Sequence, residues 1–330
     1  MAIKATRPAQ PHEVIAPPAA AAPATSEPAA PAPPASALVP KDKRLAALRR
    51  FATTITIFTV VGHLWLGLET PWAAPVVSTL TSYAAALLLE MIDAWGHGRR
   101  AEYRGGVLRL VNFLLPSHIA GMAIALLIYP GGMLWPFAFA AVVAAGAKYL
   151  WRAPVNGRMR HVFNPSNLGI SATLVIFPWV GIGMPYHFTA TFGGPLDWII
   201  PALLLMSGLM INTQLTGKWP LIAGWVGGFA LQAILRAVFT DISVLGALAP
   251  MTGVAFILFT NYMITDPGTT PTGKRNQVAF GLASAAAYAF FMLIHVSYGI
   301  FFCLVVVCAG RGLYLWARHT RAKTTERRLS

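Results

Sequence analysis

The sequence predicts an all-α integral membrane protein of about ten transmembrane helices. Three observations carry this. Of the 330 residues, 56% are hydrophobic and only 11% charged, against roughly 25% charged in a soluble domain. From Phe51 onward the apolar residues fall in runs close to the length a spanning helix needs, separated by short polar or Gly/Pro-rich joins. The basic residues collect in alternate joins, as the positive-inside rule requires.

Residues 1–43 are dominated by Ala and Pro and have no amphipathic period. Such a segment buries too little surface to offset its ordering entropy, so a disordered cytoplasmic tail is expected. Its polar first residues and the absence of a continuous apolar core before Pro40 do not fit a secretory signal. Membrane helices are expected at about 51–69, 75–95, 109–129, 133–150, 168–183, 197–215, 220–239, 243–264, 278–294 and 297–316. Together they make a membrane domain over 44–316, followed by a basic cytoplasmic tail, 317–330.

The charges test this division. Lys41, Lys43, Arg44, Arg49 and Arg50 precede the first span, and Arg99, Arg100, Arg104 and Arg109 separate the second from the third. Lys148, Arg152, Arg158 and Arg160, then Lys218, then Lys274 and Arg275, and finally Arg311 to Arg328 all map to the same side. Only Arg236 is left over. Both termini are therefore expected in the cytoplasm. The same distribution accounts for the net charge of +14 without nucleic acid, which would need a folded basic surface with base-reading or stacking groups. On the far side only the join 184–196, rich in aromatics and hydroxyls, is long enough to cover a site.

Cys303 and Cys308 lie inside the last apolar run at a spacing that puts them on different helix faces, so they read as core residues. Glu90, Asp93 and His97 share a face near the cytoplasmic end of the second span, where a salt bridge to Arg99 or Arg100 competes with a proton or cation relay. Arg236 is expected to pair with Asp241. His63 and His118 are expected to be hydrogen-bonded packing residues rather than haem ligands.

Two polar breaks remain, His161-Val-Phe-Asn-Pro-Ser-Asn167 and the stretch from Asn261 to Gly281, both on the cytoplasmic side. Backbone that leaves a helix at membrane depth must find partners in protein or in a wet cavity. Asn164 to Asn167 open a helix, where Asn or Ser can cap free N–H groups or present them to an anionic or carbonyl-rich ligand. Gly268 to Arg275 nearly spells a phosphate loop, but Arg275 stands where a metal-binding hydroxyl is required and the flanking elements are wrong. The hydroxyls and amides from Asp266 to Thr272 remain as a polar cradle. The two breaks are expected to face each other or a shared ligand.

Phe163-Asn164-Pro165-Ser166-Asn167 entering a helix, and Thr265-Asp266-Pro267-Gly-Thr269-Thr270-Pro-Thr-Gly273-Lys274 leaving one, resemble paired motifs of an electron-transport membrane family. That family comprises NqrB, a membrane component of the sodium-translocating NADH:quinone oxidoreductase, and RnfD, its counterpart in the Rnf complex. The resemblance covers about 110–316, and its nearest likeness is to small stand-alone members encoded with enediyne biosynthesis genes. It implies a ten-helix bundle in a bacterial inner membrane, a flavin within it, and other electron-transport subunits as partners. Asn164, Ser166, Asn167, Asp266, Thr269, Thr270 and Lys274 are the cofactor-binding residues it implies. Members with covalent FMN use the Thr of a Ser-Gly-Ala-Thr motif, which is missing here. Thr191, in Phe188-Thr-Ala-Thr191, is the nearest equivalent. FMN or riboflavin held non-covalently is the form that fits. A permease or export protein on the same scaffold, linked to natural-product biosynthesis, is the alternative, because broken helices also serve transporters.

Overall fold

The computed structural model describes residues 41–65, 67–155, 157–183 and 199–329. Residues 1–40 of the expected tail and the join 184–196, including Thr191, lie outside them. The described residues are mainly helical, with two short antiparallel strand pairs. Six of the helices are long and apolar enough to cross a membrane, as a multi-pass membrane protein requires.

The first helix, α1 (Lys41–Leu64), begins ten residues before the expected start, so its basic first turns are already helical. It is followed by α2 (Ala73–Gly96), α3 (Val107–Leu127) and the shorter α4 (Trp135–Leu150). Strand β1 (Ile128–Tyr129) lies between α3 and α4. Strands β2 (Arg152–Val155) and β3 (Arg158–His161) form a hairpin in which Arg152 pairs with His161. Helix α5 (Pro165–Ile176) starts on the expected Asn-Pro break but has only 12 residues. Pro178 follows its last turn, and a residue before proline is driven out of helical conformation. Strand β4 (Gly181–Ile182) then pairs with β1.

In the second half, α6 (Ile199–Met210) runs into a π-helical segment, Ile211–Thr216, that Gly217 ends in the left-handed conformation (φ 63°). Helix α7 (Trp219–Phe239) follows. The expected single helix over 243–264 is instead α8 (Val244–Leu248), a 3-10 turn (Ala249–Thr252), α9 (Val254–Leu258) and a second π-helical segment (Phe259–Met263). The two halves meet at 60°. Pro250 lacks the N–H a helix needs, and Gly253 is extended (φ −81°, ψ 148°). Helix α10 (Lys274–Leu293) and α11 (Gly299–Leu329) complete the chain. The basic stretch expected as a tail continues α11 as helix through Leu329.

Small residues let these helices approach. A Cβ on Gly281 would sit 2.5 Å from the Leu221 carbonyl and one on Gly224 2.6 Å from the Val278 carbonyl, so α7 and α10 cross nearly backbone to backbone. Between α2 and α3, Ser78 and Ser82 donate to the carbonyls of Gly121 (2.8 Å) and Ser117 (2.9 Å). Trp225 is fully buried among Phe229, Phe256, Phe259 and Tyr288, and its indole N–H donates to Thr260 Oγ1 (2.9 Å). This satisfies the polar atom of the largest core side chain.

Candidate functional site

Asn164 is the N-cap of α5, its side-chain oxygen accepting from the Asn167 N–H (3.0 Å) and from the Ser166 hydroxyl (3.0 Å). Its amide nitrogen crosses to the other motif and donates to the Met263 carbonyl (3.2 Å). A second contact runs in parallel, His161 Nε2 lying 3.5 Å from Asp266 Oδ2. The two breaks thus meet in space.

The loop after Met263 is held mainly by its own groups. The Asp266 carbonyl accepts from the N–H groups of Thr269 and Thr270 (3.2 Å each) and from the Thr270 hydroxyl (2.6 Å), while the Gly268 N–H donates to the Asp266 carboxylate (2.8 Å). Two cations fasten its far side: Lys218 donates to the Pro271 carbonyl (2.6 Å) and Arg311 to that of Thr269 (2.8 Å). Burial would raise the Asp266 carboxyl, but the His161 ring, the Gly268 N–H and Arg44 outweigh it and hold it below its ordinary value. Burial lowers the Lys218 ammonium to about 8, with Asp266 opposing the shift.

Where the motifs meet, α1, α3, the end of α4 and both π-helical segments enclose a cavity of about 260 Å³. Phe51, Ile55, Ile119, Leu127 and Leu258 form its apolar wall, and Arg44, Lys148, His161, Asn164, Ser166 and Asp266 its polar end. Phe51 stacks on Tyr262 (4.2 Å, 10°), and the Tyr262 hydroxyl lies 2.5 Å from that of Ser207. π-Helical turns turn side chains off the regular helical register and recur at functional sites. Here they direct Asn212 and Asn261 to the cavity, and Asn212 donates to the Asn261 carbonyl (2.7 Å).

Of the residues picked from sequence, Asn164, Ser166 and Asp266 line this cavity. Asn167 points instead to α11, donating to the Phe301 carbonyl (2.9 Å). Thr269 and Thr270 are buried and bonded within their own loop rather than forming an open cradle. Lys274 is exposed at the first turn of α10, and Thr191 lies outside the described residues. Sequence reasoning missed Arg44, Lys148 and the Asn212 segment. An asparagine in the apolar run before Gly217-Lys218 was the available signal.

Away from the cavity, Glu90 is buried and accepts from Arg99 (2.6 and 3.1 Å), the Glu102 N–H (2.8 Å) and the Tyr149 hydroxyl (3.3 Å). Arg99 also binds Asp93, which lies 3.3 Å from Arg152. This is the salt-bridge arrangement, anchored to β2. Among the described residues Arg236 and Asp241 form no ion pair. His118 is hydrogen-bonded through both ring nitrogens, to Thr56 and Tyr83 (2.7 Å each). His63 is bonded to the Thr59 carbonyl (2.8 Å) and the Thr70 hydroxyl (3.2 Å). Both cysteines are buried thiols, and no three His, Cys, Asp or Glu side chains cluster as a metal site among the described residues.

No protein-family model matches this sequence, and a search of the curated proteins found no match.

Proposed function

We propose that this chain is a membrane-embedded electron-transport subunit of the NqrB/RnfD type, holding FMN or riboflavin non-covalently in the cavity between the two motifs. The observation that supports this reading is the meeting of Asn164 and Asp266 at one amphipathic cavity, with apolar walls and a few convergent polar groups as small-molecule sites have. The donor set fits such a ligand. Phe51, Ile55, Ile119 and Leu258 offer apolar contact to a planar ring, and Arg44, Lys148, His161 and Asp266 offer charged and hydrogen-bonding contact to its polar parts. A bound flavin would supply the capacity to accept and release electrons. The residues of this chain would bind and orient it, and the apolar wall would exclude water.

In this reading the chain forms ten spans in a bacterial inner membrane, with the shorter helices Trp135–Leu150, Pro165–Ile176 and Ala202–Thr216 and the bent pair counted as spans. Both termini are cytoplasmic, and other electron-transport subunits are the partners. Reporter fusions after residue 316 and within 96–105 should report cytoplasm, and fusions within 184–196 the far side. The same location for 96–105 and 184–196 refutes the topology.

The second reading, a permease or export protein, is favoured by the bent helix pair and the two π-helical segments that flank the cavity, since interrupted helices at a polar site are also a transporter device. The visible spectrum of protein purified in mild detergent separates the two. A flavin band supports the first reading, and a colourless, folded protein that takes up no added flavin rejects it.

A further inference from the structure

The neutral polar groups around the cavity are largely committed to holding the fold. Asn164 Oδ1 accepts twice and its amide donates to Met263, and both donors of Asn212 go to carbonyls while its oxygen accepts from Thr216 (3.1 Å). Ser166 gives its proton to Asn164, and Thr265 gives its own to the Asn261 carbonyl (2.6 Å). The cations are differently placed. Among the described residues, neither the Lys148 ammonium nor the Arg44 guanidinium makes a hydrogen bond or an ion pair within 4 Å, yet both line the cavity. Among the described residues Asp266 is the one carboxylate lining it, and its oxygens already meet His161 and the Gly268 N–H.

We infer that the polar end of the cavity is an anion subsite, in which Lys148 and Arg44 hold the phosphate ester of the ligand. The inference rests on the proposed function only for the rest of that ligand, making it FMN in preference to riboflavin. Two cations against one carboxylate, Lys148 partly buried and Arg44 exposed at the cavity's edge, leave an excess of positive charge there, and charge-assisted bonds to phosphate are the strong ones. Nearby, Arg160 is pushed below its ordinary range chiefly by burial and further by Arg44 and Arg158, with Asp266 opposing. The same phosphate chemistry could come from a lipid headgroup.

The test uses the full chain in an uncharged detergent, titrated with FMN, riboflavin and short-chain phosphatidic acid. Binding is read by flavin fluorescence and by thermal unfolding. FMN should bind about ten-fold more tightly than riboflavin at low salt, the scale of one charge-assisted contact. The preference should shrink at high salt. Lys148→Met, and independently Arg44→Gln on the accessible helix α1, should reduce FMN binding several-fold more than riboflavin binding, narrowing the preference for the phosphorylated ligand. If phosphatidic acid stabilises the protein in a Lys148-dependent way and neither flavin binds, the anion subsite stands and the flavin reading falls. If riboflavin binds as tightly as FMN, or neither substitution discriminates between phosphorylated and neutral ligands, the inference is overturned while the flavin reading survives.

Discussion

The side-chain amide of Asn164 donates to the backbone carbonyl of Met263, joining two motifs that are 99 residues apart in sequence. One residue thereby closes the α5 N-terminus and supplies a donor to the end of the second π-helical segment. Removing it takes the side-chain partner from two backbone groups at once, the Asn167 N–H and the Met263 carbonyl.

Asn164→Ala should lower stability by about 1–3 kcal/mol, the sum of a lost cap and a Met263 carbonyl left with only the longer bond from the Asp266 N–H (3.4 Å). Asp266→Ala removes the partner of His161 and of the Gly268 N–H, and should cost a similar amount. Because both changes loosen one junction, the double variant should lose less than the sum of the singles. Thermal unfolding in detergent checks this. Strict additivity, with ligand retention untouched, would reduce both residues to independent capping devices.

Gly268→Ala should separate His161 from Asp266. A Cβ at Gly268 would collide with the His161 ring, so either the loop or the histidine must shift. The expected result is near-normal expression with a loss of ligand retention at least as large as that of His161→Ala. An alanine variant indistinguishable from the parent would mean that the loop yields freely there.

Lys218 gives a pH signature. Its ammonium titrates at about 8 in the folded protein, below the ordinary lysine value of roughly 10.4. Between those two values the unfolded chain binds more protons than the folded one, so this group makes stability rise with pH through that window. The gain is on the order of 2–3 kcal/mol by about pH 10. Unfolding curves for the parent and for Lys218→Met should diverge there, the variant lacking the rise. Parallel curves would contradict the burial of Lys218 as a charged group.

Glu90→Gln should act on stability. The carboxylate satisfies Arg99, the Glu102 N–H and Tyr149 together. Its loss should cost about 2 kcal/mol, reduced from the value for a fully buried pair because Arg99 is partly exposed. Ligand binding by the folded fraction should be unchanged. Normal stability with altered electron or ion movement would instead restore the relay reading.

Much of the architecture was legible because a bilayer permits few solutions. Apolar runs and the Asn-Pro and Thr-Asp-Pro breaks each act through local chemistry: hydropathy, a missing N–H, a capping side chain. Asn164 at a helix start and non-helical backbone after Met263 follow from such rules. So does the all-α class.

What the tertiary structure decided is which polar groups face one another. Thr269 and Thr270 look like ligand-binding hydroxyls in sequence, but in the folded loop both hydroxyls turn inward and donate to the Asp266 carbonyl. Arg44 and Lys148 look like ordinary topology-setting cations, yet the packing of α1 and α4 around the cavity brings both to its polar end. The residues 243–264 form a continuous apolar run, and yet the chain bends by 60° within it, because Pro250 and Gly253 interrupt the helical hydrogen bonding. Hydropathy and capping depend on a residue and its immediate neighbours and are written along the chain. The make-up of a cavity depends on which helices pack together, and that is settled only when distant segments such as Asn164 and Met263 satisfy each other's backbone.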